Sequence, residues 1–166
     1  MPLISYDRSA AVAYAHKWAY RRNPDYLDFS SLGGDCTNFA SQCLYAGAGV
    51  MNYTPTFGWF YRSAGSRTPS WTGVRYLYNF LLRNLGAGPF AREVSIDRLE
   101  PGDLVQIATG DRIDYHHTPF IVRIDGDPAP ETIYIAAHSG DCDCRPLSTY
   151  PIRKLRCLHI EGVRSE

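Results

Sequence analysis

The segment Gly-Gly-Asp-Cys-Thr-Asn-Phe-Ala-Ser-Gln-Cys, residues 33–43, places a cysteine just after a glycine turn. Apolar residues recur from Cys36 onward at helical spacing, which predicts a helix that begins near this cysteine. A helix N-terminus carries partial positive charge and unpaired N–H groups, which favour a thiolate and can hold an oxyanion. We therefore predict that Cys36 is a nucleophile, with Asp35 as the helix N-cap and Gly47 or Gly49 as the stop.

A catalytic thiol needs a base within hydrogen-bond reach and a polar group that orients the base. His117 precedes an apolar run that predicts a buried strand, and His138 ends a second predicted strand. Either histidine can reach a helix N-terminus that packs on the sheet. His116 competes with His117 but points to the opposite face of an extended chain, and Asp141 or Asp143 can also orient an imidazole.

The elements that must position these residues are helical first and strand-rich second. The predicted helices cover residues 9–20 and 71–85, and the predicted strands cover residues 103–108, 118–124, 132–137 and 152–160. Helices followed by a run of strands indicate an α+β fold with an antiparallel sheet. A long aromatic loop, residues 52–69, joins the helices, and we predict that its Trp59 and Tyr61 line a sugar- or peptide-binding groove.

Length and composition fit one domain over residues 1–166, which we expect to be a monomer. Lys and Arg balance Asp and Glu at 17 each, so the charge favours neither nucleic acid nor an anionic membrane as a partner. The start of the chain lacks the pattern of a signal peptide, which indicates a cytoplasmic protein as it stands, or a domain taken from an exported bacterial protein. Five cysteines cannot all form disulfides with one another, so at least one thiol stays free.

Several motifs spread along nearly the whole chain carry a resemblance to a known family. They are Tyr6-Asp7-Arg8, Gly34-Asp35-Cys36-Thr37-Asn38-Phe39, Pro69-Ser70-Trp71-Thr72-Gly73-Val74, Pro101-Gly102-Asp103-Leu104 and Arg145-Pro146-Leu147-Ser148-Thr149-Tyr150. At these residues the chain resembles the putative bacterial amidase domain, within the papain-like cysteine peptidase superfamily and related to NlpC-type and CHAP-type cell-wall hydrolases. The resemblance implies a papain-like fold, with N-terminal helices packed on an antiparallel sheet.

The same resemblance implies a catalytic set of Cys36 as nucleophile, His117 as base and His138 as third member. The implied activity is a thiol-dependent hydrolase that cleaves an amide bond of peptidoglycan stem peptides or another peptide. A second donor for the oxyanion is expected just before the glycine turn, where the candidates are Tyr26, Ser30 and Ser31. Two alternatives stay open: a catalytically silent module that binds cell wall or glycan, and an acyl or peptidyl transferase.

A metal site is the main non-catalytic alternative for the cysteines and histidines. Thiolate and imidazole ligands suit zinc, and the residues that could supply them are His138, Cys142, Cys144, Cys157 and His159. Structural zinc sites recur as paired Cys-x-x-Cys or Cys-x-x-His knuckles, whereas this chain offers one Cys-x-Cys step. We therefore expect neither a metal nor another cofactor.

Overall fold

The computed structural model describes residues 1–166. It contains four helices; a glycine follows two of them and precedes a third. The helices are α1 (Arg8–Trp18), α2 (Cys36–Ala48), α3 (Pro69–Thr72) and α4 (Val74–Arg83). The prediction that a helix begins near Cys36 is confirmed. Gly49 provides the stop, because it adopts a left-handed conformation at φ 69° and its N–H donates to the Tyr45 carbonyl. None of the helices is long and apolar enough to cross a bilayer.

The helix predicted over residues 71–85 is in fact two helices with a break at Gly73. This glycine is extended, at φ −115° and ψ 128°, and so it ends α3 and precedes α4. Its N–H still donates to the Pro69 carbonyl at 2.8 Å. A Cβ at this position would lie 2.8 Å from the Tyr76 ring, so the close packing of the two helices excludes a larger residue.

The structure has nine strands, and every pair of neighbouring strands is antiparallel. This confirms the predicted α+β class. The strands are β1 (Leu3–Ile4), β2 (Tyr61–Ser63), β3 (Ser66–Arg67), β4 (Gly88–Val94), β5 (Leu104–Thr109), β6 (Phe120–Ile124), β7 (Ile133–Ala137), β8 (Cys142–Pro146) and β9 (Ile152–Arg164). Strands β2 and β3 form a hairpin of their own. The others form one curled sheet in the order β1-β9-β5-β6-β7-β8, and β4 pairs with the other edge of β9.

Alternation along the strands gives the sheet two apolar faces. One face packs against the helices and includes Leu104, Phe120 and Leu158. The neighbouring residues Val105 and Cys157 belong to a second cluster on the inner side of the curl. Because side chains of a strand alternate between faces, this pattern fixes the register of β5 against β9, in which Leu104 opposes Leu158.

The fully buried carboxylate of Asp103 ties the start of β5 to α1 and to β9. It accepts hydrogen bonds from Arg8 Nη1 at 2.8 Å, from Glu100 N at 2.8 Å and from Ile160 N at 2.9 Å. The His159 ring nitrogen Nδ1 lies 2.8 Å from the same carboxylate. A buried charge is tolerated only with such partners, so this carboxylate is a structural requirement of the sheet.

Replacement of Asp103 should therefore cost much more stability than loss of an exposed ion pair. We expect Asp103→Ala to lower the free energy of unfolding by about 3–5 kcal/mol, because it leaves Arg8 and two backbone donors without their acceptor. The control is Asp125→Ala, which removes a half-exposed pair with Arg123 and should cost less than about 1 kcal/mol. Urea unfolding of both variants measures the difference, and equal losses would contradict this role of Asp103.

Candidate active site

Cys36 is the first residue of α2 and follows a turn that only glycine adopts without strain. Gly33 and Gly34 have φ values of 99° and 109°, in the region that side chains disfavour. The N–H of Cys36 donates to no acceptor within the protein, whereas the N–H of Thr37 is directed at the Cys36 thiol. A free donor at a helix N-terminus is what an oxyanion would need.

The Cys36 thiol faces the segment that leads into β6. Its Sγ lies 3.9 Å from the His116 carbonyl oxygen and 3.8 Å from Thr37 Oγ1. The thiol is largely buried, with the residue 7% exposed. Burial raises the pKa of Cys36, and hydrogen bonds from Thr118 and Thr37 oppose the shift only in part. The sequence predicts a thiolate here, but in the resting site burial outweighs the effect of the helix terminus and keeps the group a thiol.

Asp35 is the N-cap residue of α2, as the sequence predicts, but its side chain makes no capping hydrogen bond. Its carboxylate is fully buried and accepts hydrogen bonds from Phe29 N at 2.8 Å and from Asn38 Nδ2 at 2.9 Å. His138 Nδ1 donates to the other carboxylate oxygen at 2.5 Å, and Arg22 Nε lies 3.6 Å from it. The carboxylate thus fixes the residue before Cys36 against the preceding loop and the end of β7.

His117 lies just before β6, with a buried ring. Its Nε2 is 3.2 Å from the Tyr150 hydroxyl, whereas its Nδ1 has no partner in the protein. No hydrogen bond joins the His117 ring to Cys36 Sγ in this structure. Burial, and then the charges of His116 and Arg145, lower the pKa of His117 from 6.5 to about 4. The imidazole is therefore neutral at pH 7 and is able to accept a proton.

His116, the competing base, has its ring on the far side of the strand pair. Its Nε2 lies 3.1 Å from both the backbone N and the Oγ1 of Thr109. The N–H of Thr109 donates to that nitrogen, so Nε2 is already an acceptor in a hydrogen bond. The structure therefore brings only the carbonyl of His116, and not its imidazole, to Cys36.

His138 lies next to Asp35 and does not reach His117. Its Nδ1 binds Asp35, and its Nε2 lies 2.8 Å from the Trp18 carbonyl oxygen. Its ring also stacks on Phe39 of α2 at 4.1 Å between centroids. The structure therefore places His138 as a support for the start of α2, and not as the residue that orients the base.

The two aspartates that we considered in place of His138 are also paired elsewhere. Asp141 accepts hydrogen bonds from the Arg22 guanidinium at 2.9 and 3.0 Å. Asp143 pairs with His16 Nδ1 at 2.8 Å. Neither carboxylate contacts His117.

Tyr150 is the polar group that the structure places on His117, and the sequence reasoning did not assign it a role. Its hydroxyl lies 3.2 Å from His117 Nε2 and 3.8 Å from Cys142 Sγ. The Arg145 guanidinium covers its ring at 3.6 Å from the centroid. Burial raises the pKa of the Tyr150 phenol, so the hydroxyl stays protonated. A signal was present, because Tyr150 ends the Arg-Pro-Leu-Ser-Thr-Tyr run.

Trp59 and Tyr61, predicted to line a groove, belong to the core. Trp59 is fully buried, and its indole N–H donates to Ser41 Oγ at 3.1 Å. Tyr61 is 8% exposed, and its hydroxyl accepts a hydrogen bond from Leu27 N at 2.8 Å. Aromatic side chains of this loop fill the space behind α2, so neither residue offers a surface to a sugar or peptide.

The candidates for a second oxyanion donor are also accounted for by local contacts. Tyr26 stacks on Trp71 with 5.9 Å between ring centroids. Ser30 Oγ donates to Asp28 Oδ1, and Ser31 is exposed.

The residues considered for a zinc site do not come together as one cluster. Cys157 is buried and its pKa is raised to about 12 by burial, while His159 pairs with Asp103. Of the set, only Cys144 lies in a group that could hold an ion, and its partners there are His16 and Asp143.

Comparison with known proteins places this site in a family. A family model described as "Putative amidase domain" matches residues 5–160. The chain belongs to this family. It is also 38% identical over 130 residues to the uncharacterized protein YhbB of Bacillus subtilis strain 168. That alignment covers 76% of this chain but 40% of YhbB, so the chain spans less than half the length of this relative. No solved structure matches the chain. The family description indicates amide hydrolysis.

The depressed pKa of His117 should appear in the pH dependence of stability. Between pH 6.5 and about 4 the unfolded chain binds a proton at this residue and the folded chain does not. The free energy of unfolding should thus fall by about 3 kcal/mol as the pH falls through this window. In His117→Gln this contribution should be absent.

Urea unfolding at several pH values, with wild type compared with His117→Gln, measures the contribution. His116→Gln is the matched control, because its ring is less buried and its removal should change the slope much less. Parallel pH dependences for wild type and His117→Gln would show that the imidazole is not held neutral by burial.

Proposed function

We propose that this chain is a papain-like thiol hydrolase that cleaves an amide bond of peptidoglycan stem peptides or another peptide. The observation that carries the proposal is the position of Cys36. It begins a helix with a free N–H donor and faces the segment of His117, whose Nδ1 has no partner. Membership of a family described as amidases supports the reaction class.

The reaction begins with a neutral thiol and a neutral imidazole. When His117 Nε2–H donates to the Tyr150 hydroxyl, Nδ1 carries the free lone pair and accepts the proton of the Cys36 thiol. The sulfur then attacks the carbonyl carbon of the amide and forms a tetrahedral intermediate. The backbone N–H of Cys36 donates to its oxyanion.

The second half of the reaction restores the enzyme. The protonated His117 gives its proton to the leaving nitrogen as the C–N bond breaks, which releases the amine and leaves an acyl group on Cys36. Water then attacks the acyl carbonyl and gives a proton to His117, the C–S bond breaks to release the free acid, and His117 returns the proton to the Cys36 sulfur. Tyr150 holds the imidazole through Nε2, while His138 keeps Asp35 and the start of α2 in place.

Product analysis tests this proposal directly. Wild type, incubated with a peptidoglycan digest and a panel of peptides, should release a free amine and a free acid, detected by mass spectrometry. Cys36→Ala should lose about a thousandfold or more in rate, because the nucleophile is gone. Tyr150→Phe should lose less, since the nucleophile and base remain.

Cys144→Ala is the control, because this exposed thiol lies outside the site and its loss should leave the rate unchanged. Equal product from wild type and Cys36→Ala would contradict the proposal. Products in which the acyl group is joined to an added amine would instead indicate a transferase, and specific binding without any cleavage would indicate a silent module.

A further inference from the structure

A cavity of about 530 Å³ lies beside α4, and its lining is rich in positive charge and aromatic rings. The residues that line it are Arg75, Tyr78, Asn79, Asp114, Tyr115, Lys154 and Arg156. The three cations outnumber the one carboxylate, so the lining has an excess of positive charge. We propose that this cavity binds a free carboxylate of the substrate, next to the amide that Cys36 attacks. This inference rests on the proposed function of Cys36.

No ion pair within the protein neutralises the cationic groups of the cavity, although the charge of Glu93 partly opposes the lowering of the Arg156 pKa that burial causes. No carboxylate oxygen lies within 4.0 Å of a side-chain nitrogen of Arg75, Lys154 or Arg156. Asp114 lines the cavity without an ion pair, and Glu93 is held by the Tyr78 hydroxyl. By contrast, Arg8, Arg22 and Arg92 elsewhere in the chain each pair with an acidic residue.

Arg156 is held rigidly with one end of its guanidinium free. Its Nε and Nη2 donate to Gln106 Oε1 at 2.9 and 2.6 Å, and Nη1 has no acceptor in the protein. The ring centroids of Tyr78 and Tyr115 lie 3.6 and 4.0 Å from its central carbon. Tyr78 belongs to α4, and Tyr115 lies between β5 and β6. Burial lowers the pKa of Arg156, which shows that the charge is partly desolvated. A carboxylate would offset this cost and accept from the free end.

Lys154 is a second cationic donor that lines the cavity. Its Nζ donates to the Ile113 carbonyl at 2.7 Å and lies 4.7 Å from the centroid of the Tyr115 ring. An ammonium has three donors, so two remain for a ligand. Arg75, on α4, makes no hydrogen bond through its side chain. The donors of the cavity therefore come from both α4 and β9.

A buried chain of polar side chains connects this cavity to the nucleophile. Gln106 Nε2 lies 3.4 Å from Thr118 Oγ1, which is 3.0 Å from Thr37 Oγ1. Thr37 Oγ1 in turn lies 3.8 Å from Cys36 Sγ. Because Gln106 also holds Arg156, these contacts connect the lining of the cavity to the residue beside the thiol.

The segment from Tyr115 to His117 connects the cavity to the thiol. Tyr115 lines the cavity, and the carbonyl of the next residue, His116, lies 3.9 Å from the Cys36 thiol. We place the bound carboxylate on the part of the substrate that extends from the scissile amide toward Tyr115. The substrate class that fits is a peptide with a free carboxylate close to the bond that is cleaved.

Binding can be tested without turnover in the Cys36→Ala protein. The probes are N-acetylglutamate, its uncharged analogue N-acetylglutamine amide, and inorganic phosphate, each followed by NMR of the tyrosine rings. N-acetylglutamate should shift the signals of Tyr78 and Tyr115 saturably, and the uncharged analogue should not. Phosphate binding as tight as that of N-acetylglutamate would overturn the assignment to a carboxylate, and no saturable shift would overturn the site.

Variants of the lining locate the binding. Lys154→Gln and Arg75→Gln should each weaken N-acetylglutamate binding about tenfold, which is typical of one hydrogen bond to a charged group. The matched control is Arg153→Gln, an exposed cation on the same strand that does not line the cavity. Arg153→Gln should bind as the parent protein does. Equal weakening in Arg153→Gln would show only general attraction between the protein and anions.

Turnover separates this inference from the proposed hydrolase function. For a cleaved peptide, wild type should favour the form with the free carboxylate over the amidated form by about tenfold in kcat/KM. In Lys154→Gln this ratio should fall towards one. If both forms are cleaved equally and N-acetylglutamate does not bind, the carboxylate site is wrong while the hydrolase stands. If N-acetylglutamate binds but Cys36 supports no cleavage, the hydrolase is wrong while the anion site stands.

Discussion

The buried carboxylate of Asp35 holds the candidate site together. It lies one residue before Cys36, the proposed nucleophile, and connects three parts of the chain: the preceding loop through Phe29, helix α2 through Asn38, and the end of β7 through His138. A carboxylate without partners would be too costly to bury, so its bonds must form together. Once they do, the N-terminus of α2 is fixed where it faces the β6 segment.

The same burial sets the protonation states of the reacting groups. Desolvation raises the pKa of Cys36 and lowers the pKa of His117, so it favours the uncharged form of each. The resting site therefore contains a neutral thiol and a neutral imidazole, and not a thiolate beside an imidazolium. In this arrangement the proton moves as the substrate is attacked, and charge appears only where the free N–H donor of α2 can stabilise it.

Local sequence patterns were sufficient to predict the elements but not the directions of the side chains. The glycine turn and the helical spacing after it predicted α2, and apolar runs between turn residues predicted strands β5, β6, β7 and β9. Strand β4 was missed because it begins with Gly88 and Pro89, and β8 because its residues lack apolar alternation. Gly73 broke a predicted helix because packing against Tyr76 leaves no room for a side chain.

The site shows the same division. The places of Cys36 at a helix start and of His117 just before a strand could be predicted, because both are local features. The partner of the His117 ring could not, since His138 and Tyr150 both lie near the sheet edge and only the tertiary packing turns Tyr150 toward it. Trp59 and Tyr61 were predicted to line a groove because they lie in a long loop without helical spacing, but long-range packing buries both.

Detection of an acyl group on Cys36 would be the most direct evidence that this residue is the nucleophile. Wild type would be mixed with a cleavable peptide, quenched in acid within the first turnovers, and digested for mass spectrometry of its cysteine-containing peptides. The account predicts that the acyl part of the substrate is bound to Cys36, at no more than one group per chain, and that hydroxylamine removes it. Product that accumulates with Cys36 unmodified, or an acyl group on Cys142 or another cysteine, would contradict it.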